Sequence, residues 1–164
     1  MQRKPLRLPE YDYGQAGLYF LTICAKDRAA LFGRVCVGGG VLDAPWVELS
    51  EYGAVVQERL NEMNRTYSHI CVQKYVIMPN HIHVLVEVHG EGPSGTPVPT
   101  RANQAVPAFV STLKRMTNRS CGCQLWQRGC HDHIIRGEAD LLRVWTYIDT
   151  NPARWAQDEY FTRE

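Results

Sequence analysis

No apolar run among the 164 residues approaches the roughly 20 that a membrane-spanning helix needs, so no membrane span is expected. The basic start, Met1-Gln2-Arg3-Lys4-Pro5, lacks the apolar core of a signal peptide, and a cytoplasmic location is expected. No Cys-x-x-Cys pair occurs among the six cysteines, Cys24, Cys36, Cys71, Cys121, Cys123 and Cys130. Without an export signal they are expected as reduced thiols. Cys121-Gly122-Cys123 with Cys130, His131 and His133 has the residue types of a zinc site but not its usual two-residue gap, and buried or incidental thiols fit better. Acid is also missing from one long stretch. Between Gly92 and His131 there is no Asp or Glu, while Arg101, Lys114, Arg115, Arg119 and Arg128 fall there. Residues 1–9 hold Arg3, Lys4 and Arg7, again without acid. A net charge of +1 can therefore hide a basic face, although each cation alone also fits an ordinary solvated surface.

What is present centres on Val76-Ile77-Met78-Pro79-Asn80-His81-Ile82-His83-Val84-Leu85-Val86. The apolar runs 71–78 and 81–88 flank a Pro-Asn break and read as two strands joined by a tight turn. Strand side chains alternate between faces. Ile82, Val84, Val86 and Val88 then share one face, and His81, His83, Leu85 and Glu87 the other. The apolar face calls for burial under helices. Paired imidazoles at this spacing can bind a divalent cation; they also fit a partly exposed strand with no ligand. A third ligand would have to come from elsewhere in the chain.

The length suits a single domain spanning 1–164. Residues 1–16 read as an irregular arm and 18–25 as a central strand. Residues 34–42 suggest a small hairpin around a triple glycine. Ser50 is a plausible N-cap for a helix running to about Asn64, with Tyr52, Val55, Val56, Leu60 and Met63 as its apolar stripe. Residues 90–103 are a Gly/Pro-rich connector. A second helix is expected over 104–119, buried through Val106, Phe109, Val110, Leu113 and Met116. Two short extended runs, 124–128 and 131–136, precede a last helix after Gly137. Stripped of insertions the order is βαββαβ. This predicts an α+β, ferredoxin-like antiparallel sheet with helices on one face. The C-terminal helix is surplus to that count and could cover the histidine face.

That helix carries Tyr147-Ile148-Asp149-Thr150-Asn151-Pro152. Residues four apart on a helix are neighbours, so Tyr147 and Asn151 could present a phenol and an amide oxygen to one point. Equally, Tyr147 could sit at the edge of the core. Asn151 could end one helix and cap the next, because a residue before proline avoids the α region.

Taken together, the chain resembles the single-tyrosine HUH transposases, in particular the REP-associated tyrosine transposases and their relatives. The histidine motif stands as His81-Ile82-His83 and the tyrosine motif as Tyr147-Ile148-Asp149-Thr150-Asn151-Pro152. Matching stretches occur in order at Tyr11-Asp12-Tyr13, Tyr19-Phe20-Leu21-Thr22-Ile23-Cys24, Leu31-Phe32-Gly33, Trp126-Gln127-Arg128 and Asp132-His133-Ile134-Ile135-Arg136. The resemblance implies Mg²⁺ or Mn²⁺ held by His81, His83 and Asn151, with Tyr147 as nucleophile. It implies single-stranded DNA beside a hairpin, formed by an imperfect palindrome, as the substrate. Cleavage would leave a 5′-phosphotyrosine and a free 3′-OH, and reversal would rejoin strands. Such donors carry no formal negative charge, so weak binding of the free metal is expected. Arg3, Lys4, Arg7, Lys114, Arg115, Arg119, Arg128 and Arg136 are candidate phosphate contacts, and Trp126 is a candidate stacking platform if it is not core. His133 could contact phosphate, orient the tyrosine helix or sit satisfied in the core. Glu87 is expected in solvent, with Asp149 pointing away from the site. Competing readings are a non-catalytic hairpin-binding module and a metal-dependent hydrolase that uses water. A homodimer exchanging tyrosine helices and a self-contained monomer both fit.

Overall fold

The computed structural model describes residues 16–40, 43–89 and 105–161. Apart from Ala16, the expected arm, with Arg3, Lys4 and Arg7, lies outside the described residues, as does the 90–103 connector. The elements are β1 (Gly17–Cys24), β2 (Gly33–Cys36), β3 (Trp46–Leu49), α1 (Glu51–Thr66), β4 (Ile70–Met78), β5 (His81–Val88), α2 (Ala105–Cys121), β6 (His131–Ile134) and α3 (Glu138–Thr150). Short 3-10 turns cover Lys26–Arg28 and Pro152–Gln157. Strands β4, β5, β1 and β6 form one antiparallel sheet in that order. With the β2–β3 hairpin set aside, this is the expected ferredoxin-like layout. Among the described residues no helix is long and apolar enough to cross a membrane.

The two faces of the sheet bury different sets. Tyr19, Leu21, Ile23, Ile82, Val84, Val86 and Val88 meet Val56, Leu60 and Met63 of α1 and Val106, Phe109, Val110 and Leu113 of α2 in the main core. Tyr52, expected in the α1 stripe, is instead among the exposed large apolar side chains. On the opposite face, Leu85 packs with Val144 and Ile148 of α3, flanked by Leu18, Phe20 and Val76. Helix α3 therefore covers the histidine face. β5 is buried on both sides, which rules out the alternative of a partly exposed strand: His81 is 0 % and His83 1 % exposed.

Local chemistry sets the element ends. Ser50 Oγ accepts from the Gly53 N–H and donates to the Leu31 carbonyl, capping α1 and tying it to the preceding loop. A Cβ at Gly53 would come 2.0 Å from the Phe32 carbonyl oxygen, so the residue allows α1 to pack at this distance. Gly137 enters α3 at φ 92°, a conformation that L side chains rarely adopt.

Two expectations about strands are corrected. β2 pairs with β3 across a longer loop, rather than with the residues just after the triple glycine. Within that loop the Asp43 carboxylate accepts from the Gly40 N–H, and the alternating Trp46-Val47-Glu48-Leu49 supplies the partner strand. The run 124–128 makes a single bridge, Trp126 to Ala25, in place of a strand.

Candidate metal and tyrosine site

The Met78-Pro79-Asn80-His81 corner delivers the first two site residues. Asn80 is buried, and its Nδ2 donates to the carbonyls of Tyr160 (2.7 Å) and Arg28 (3.3 Å). Those acceptors fix the amide's orientation, so its Oδ1 faces His81 Nδ1 at 2.9 Å and must accept from it. A neutral His81 then carries its lone pair on Nε2. His83 Nδ1 lies 2.9 Å from Thr22 Oγ1, which is opposite it in the β1–β5 register. A hydroxyl can donate or accept, so Thr22 serves either tautomer of His83. The two Nε2 atoms face each other at 3.0 Å.

Burial pushes His81 down to about 4 and His83 well below the ordinary imidazole range. Both rings are therefore neutral at pH 7, the form that ligates metals. The 3.0 Å separation also suits one cation. Adjacent ligands on an octahedral ion with bonds of about 2.1 Å lie roughly 3 Å apart.

Helix α3 brings Tyr147 and Asn151, one turn apart, onto this face. Tyr147 Oη lies 3.4 Å from His83 Nε2, and the two rings are 5.1 Å apart between centroids. Phe20 stacks on His83 at 5.1 Å and meets Tyr147 edge-on at 5.9 Å. Burial, and then the Asp158 charge, push the Tyr147 phenol above its ordinary value, so it is protonated at neutral pH. Asn151 is 1 % exposed, and its Oδ1 is buried without a hydrogen-bond partner. An orphaned amide oxygen and two neutral imidazoles are donors of the kinds that fit a divalent cation. Asn151 does not cap with its side chain. It keeps α-helical backbone (φ −59°, ψ −45°) ahead of Pro152, which occupies the first turn of the 3-10 segment where it has no N–H bond to lose.

Several partners here were not anticipated from sequence. Asp158 offers a carboxylate oxygen that, with one ring nitrogen from each histidine, falls within a 4.8 Å cluster. Tyr160 packs on His81 at 4.7 Å, and the Arg28 guanidinium lies 5.2 Å over the Tyr160 ring. Asp27 and Arg28 both take left-handed backbone, with φ of 55° and 54°. The cysteine–histidine set around 121–133 does not converge: among the described residues the His81–His83–Asp158 group is the one cluster of three such ligands.

The other expected site residues are scattered around this centre. Trp126 is core, 6 % exposed, packed on Phe32 at 4.7 Å, with its indole N–H donating to Thr117. That is the core position left open for it from the sequence. Lys114 donates to the carbonyls of Gln127 and Gly129, which gives its ammonium a role in holding that loop. Arg115, Arg119, Arg128 and Arg136 are exposed. His133 is neither core nor close to the histidine pair; its Nε2 lies 2.8 Å from an Asp140 carboxylate oxygen in the first turn of α3. That contact helps to set where the tyrosine helix begins. Glu87 accepts from Gln73 at the far end of β5. Asp149 pairs with Lys74 at 2.8 Å, turned from the site.

No family model matches the chain. An uncharacterised protein of Haemophilus influenzae is 29 % identical over 174 residues, spanning 97 % of this chain and 93 % of that protein. A second protein of Haemophilus influenzae, provisionally named a REP-associated tyrosine transposase, is 23 % identical over 153 residues, spanning 87 % of this chain and 74 % of the other. A solved structure of a REP-associated tyrosine transposase bound to a REP hairpin superposes with a TM-score of 0.63 at 18 % identity, covering 90 % of this chain and 73 % of that one. The chain has the fold of the REP-associated tyrosine transposases. Within that fold the histidine pair on β5 and the tyrosine on α3 meet inside one chain.

Proposed function

We propose that this chain nicks and rejoins single-stranded DNA as a transposase-type enzyme, with Tyr147 as nucleophile and a cation, Mg²⁺ or Mn²⁺, held by His81, His83 and Asn151. One observation carries the reading: the Tyr147 phenol lies 3.4 Å from a buried, neutral imidazole that faces a second at 3.0 Å. A core tyrosine has no need of such neighbours, and a phosphodiester-cleaving centre does.

The residues divide the work. Tyr147 Oη gives up its proton and bonds to phosphorus, the phosphorus–O3′ bond breaks, and the 3′ oxygen takes up a proton and leaves as a hydroxyl. The strand's 5′-phosphate then remains on the tyrosine, and attack by a 3′-OH reverses the step. The bond energy is stored in the phosphotyrosine, so rejoining needs no ATP. Asn80 and Thr22 orient the imidazoles, while Phe20 and α3 keep the phenol against them. When bound, the cation would supply charge stabilisation at the phosphoryl oxygen, lowering the demand on a phenol that resists ionisation.

We take the substrate to be DNA with a hairpin, in line with the hairpin carried by the structural relative. Exposed Arg115, Arg119, Arg128 and Arg136 are its proposed phosphate contacts, joined by Arg28 at the rim of the site.

The test uses end-labelled hairpin oligonucleotides from the DNA flanking the gene, with Mn²⁺ or Mg²⁺, on a denaturing gel. A metal-dependent, protein-linked band is expected from wild type and from neither Tyr147→Phe nor His81→Ala. Hairpin binding without cleavage would support a non-catalytic binding module in its place. Cleavage surviving Tyr147→Phe would point to a hydrolase using water.

A further inference from the structure

Asp158 stands just beyond the 3-10 turn Pro152–Gln157, six residues past the proline that ends the tyrosine motif, and its two carboxylate oxygens are used unequally. Oδ1 accepts a 2.7 Å bond from the Tyr160 N–H, which closes the local turn. Oδ2 meets Asn151 Nδ2 at 3.4 Å, a weak bond that leaves it capacity to bind more strongly. A carboxylate oxygen and one ring nitrogen from each histidine lie within 4.8 Å of one another. Asn151, which touches Asp158 through Nδ2, has its other amide atom buried and unsatisfied. Turn closure accounts for Oδ1 alone. It does not account for a carboxylate within 4.8 Å of one ring nitrogen of each histidine, in contact with an amide whose oxygen is orphaned.

We propose that Asp158 is a ligand of the divalent cation at this site, so that the cation binds before DNA arrives and fastens residues 152–161 over the histidines. The proposal rests on the cation-binding reading above and changes its character. His81, His83 and Asn151 carry no formal charge; with Asp158 the set carries one negative charge, and hard divalent cations favour carboxylate oxygen. The mixture of imidazole and carboxylate suits Mn²⁺ better than Mg²⁺. The segment is otherwise held over the site mainly by the bond from Asn80 to the Tyr160 carbonyl and by the Tyr160 ring on His81. A cation joining Asp158 to β5 would add a strong tie between parts of the chain far apart in sequence.

The experiment titrates Mn²⁺ into chelator-stripped, DNA-free protein, reading free Mn²⁺ by electron paramagnetic resonance. It compares wild type, Asp158→Asn and His81→Ala. Asparagine retains an oxygen to accept from Tyr160, and circular dichroism of the stripped proteins checks that the fold is unchanged. Wild type is expected to bind one Mn²⁺, with affinity falling about tenfold or more in Asp158→Asn. Hydrogen exchange gives a second readout: Mn²⁺ should slow exchange across 152–161 in wild type but not in Asp158→Asn. Equal affinity in the two proteins, or protection confined to β5, would overturn the proposal. So would a wild type that binds no Mn²⁺ without DNA. The DNA-cleavage assay on wild type keeps the two readings apart, since metal-dependent nicking with an indifferent Asp158→Asn sinks only the role of Asp158.

Discussion

At the scale of single residues, the site depends on side chains that orient others. Asn80 is the clearest case, because its Nδ2 is committed to two carbonyls and its Oδ1 can then only accept from His81. Asn80→Ala should weaken Mn²⁺ binding by about 10- to 100-fold, measured by calorimetry, with Tyr147 untouched. The sequence showed His81, His83, Tyr147 and Asn151 through spacing and motif, since an H-x-H on a strand and a Tyr four residues before Asn on a helix are local patterns. It did not show Asn80 as more than a turn residue, because its partner Tyr160 is 80 positions away. Thr22 was hidden likewise, 61 positions from His83, and became visible only through the β1–β5 register. Asp158 had no periodic signal at all, since it lies in an irregular segment after a 3-10 turn. Trp126 lies in the core, the alternative left open for it, and Lys114, a candidate phosphate contact, donates to two backbone carbonyls.

At the scale of elements, periodicity was sufficient for α1, α2, α3, β1, β4 and β5, because each carries an apolar stripe that matches a face of the sheet. The β2–β3 hairpin was misread because its strands have four residues each and a glycine-rich loop between them. The element that matters most for chemistry is α3. Leu85, Val144 and Ile148 seat it on the sheet, and Asp140 fixes its first turn. Asp140 accepts from the Arg136 N–H and pairs with His133 and Arg143. The Arg136 N–H, assisted by Arg143 and His133, holds the Asp140 carboxyl down to about 2, below the ordinary carboxylate range. A carboxyl depressed on folding adds stability that is fully present above its unfolded pKa and lost as pH falls through the folded one. The Asp140 contribution should therefore disappear between about pH 4 and pH 2. Thermal melts of wild type and Asp140→Asn should differ above pH 4 and converge towards pH 2; a constant difference across that range would contradict this.

At the scale of the whole molecule, a chain of net charge +1 is proposed to bind a polyanion, so the distribution of charge must do what its total does not. The acid-free stretch places exposed Arg115, Arg119 and Arg128 in and after α2, with Arg136 ahead of α3. Each cation that neutralises a phosphate of single-stranded DNA contributes about 0.7 to the slope of log K against log salt. Replacing any one of these arginines with alanine should lower the slope by about that amount, read from fluorescence-anisotropy titrations at several salt concentrations, without abolishing cleavage. The central claim concerns the bond to Tyr147, and mass spectrometry of the protein after incubation with Mn²⁺ and a cleavable hairpin strand tests it most directly. The account predicts a nucleotide joined through its 5′-phosphate to the peptide containing Tyr147, absent when metal is chelated. Cleaved DNA with an unmodified Tyr147 peptide, under conditions that trap adducts, would contradict it.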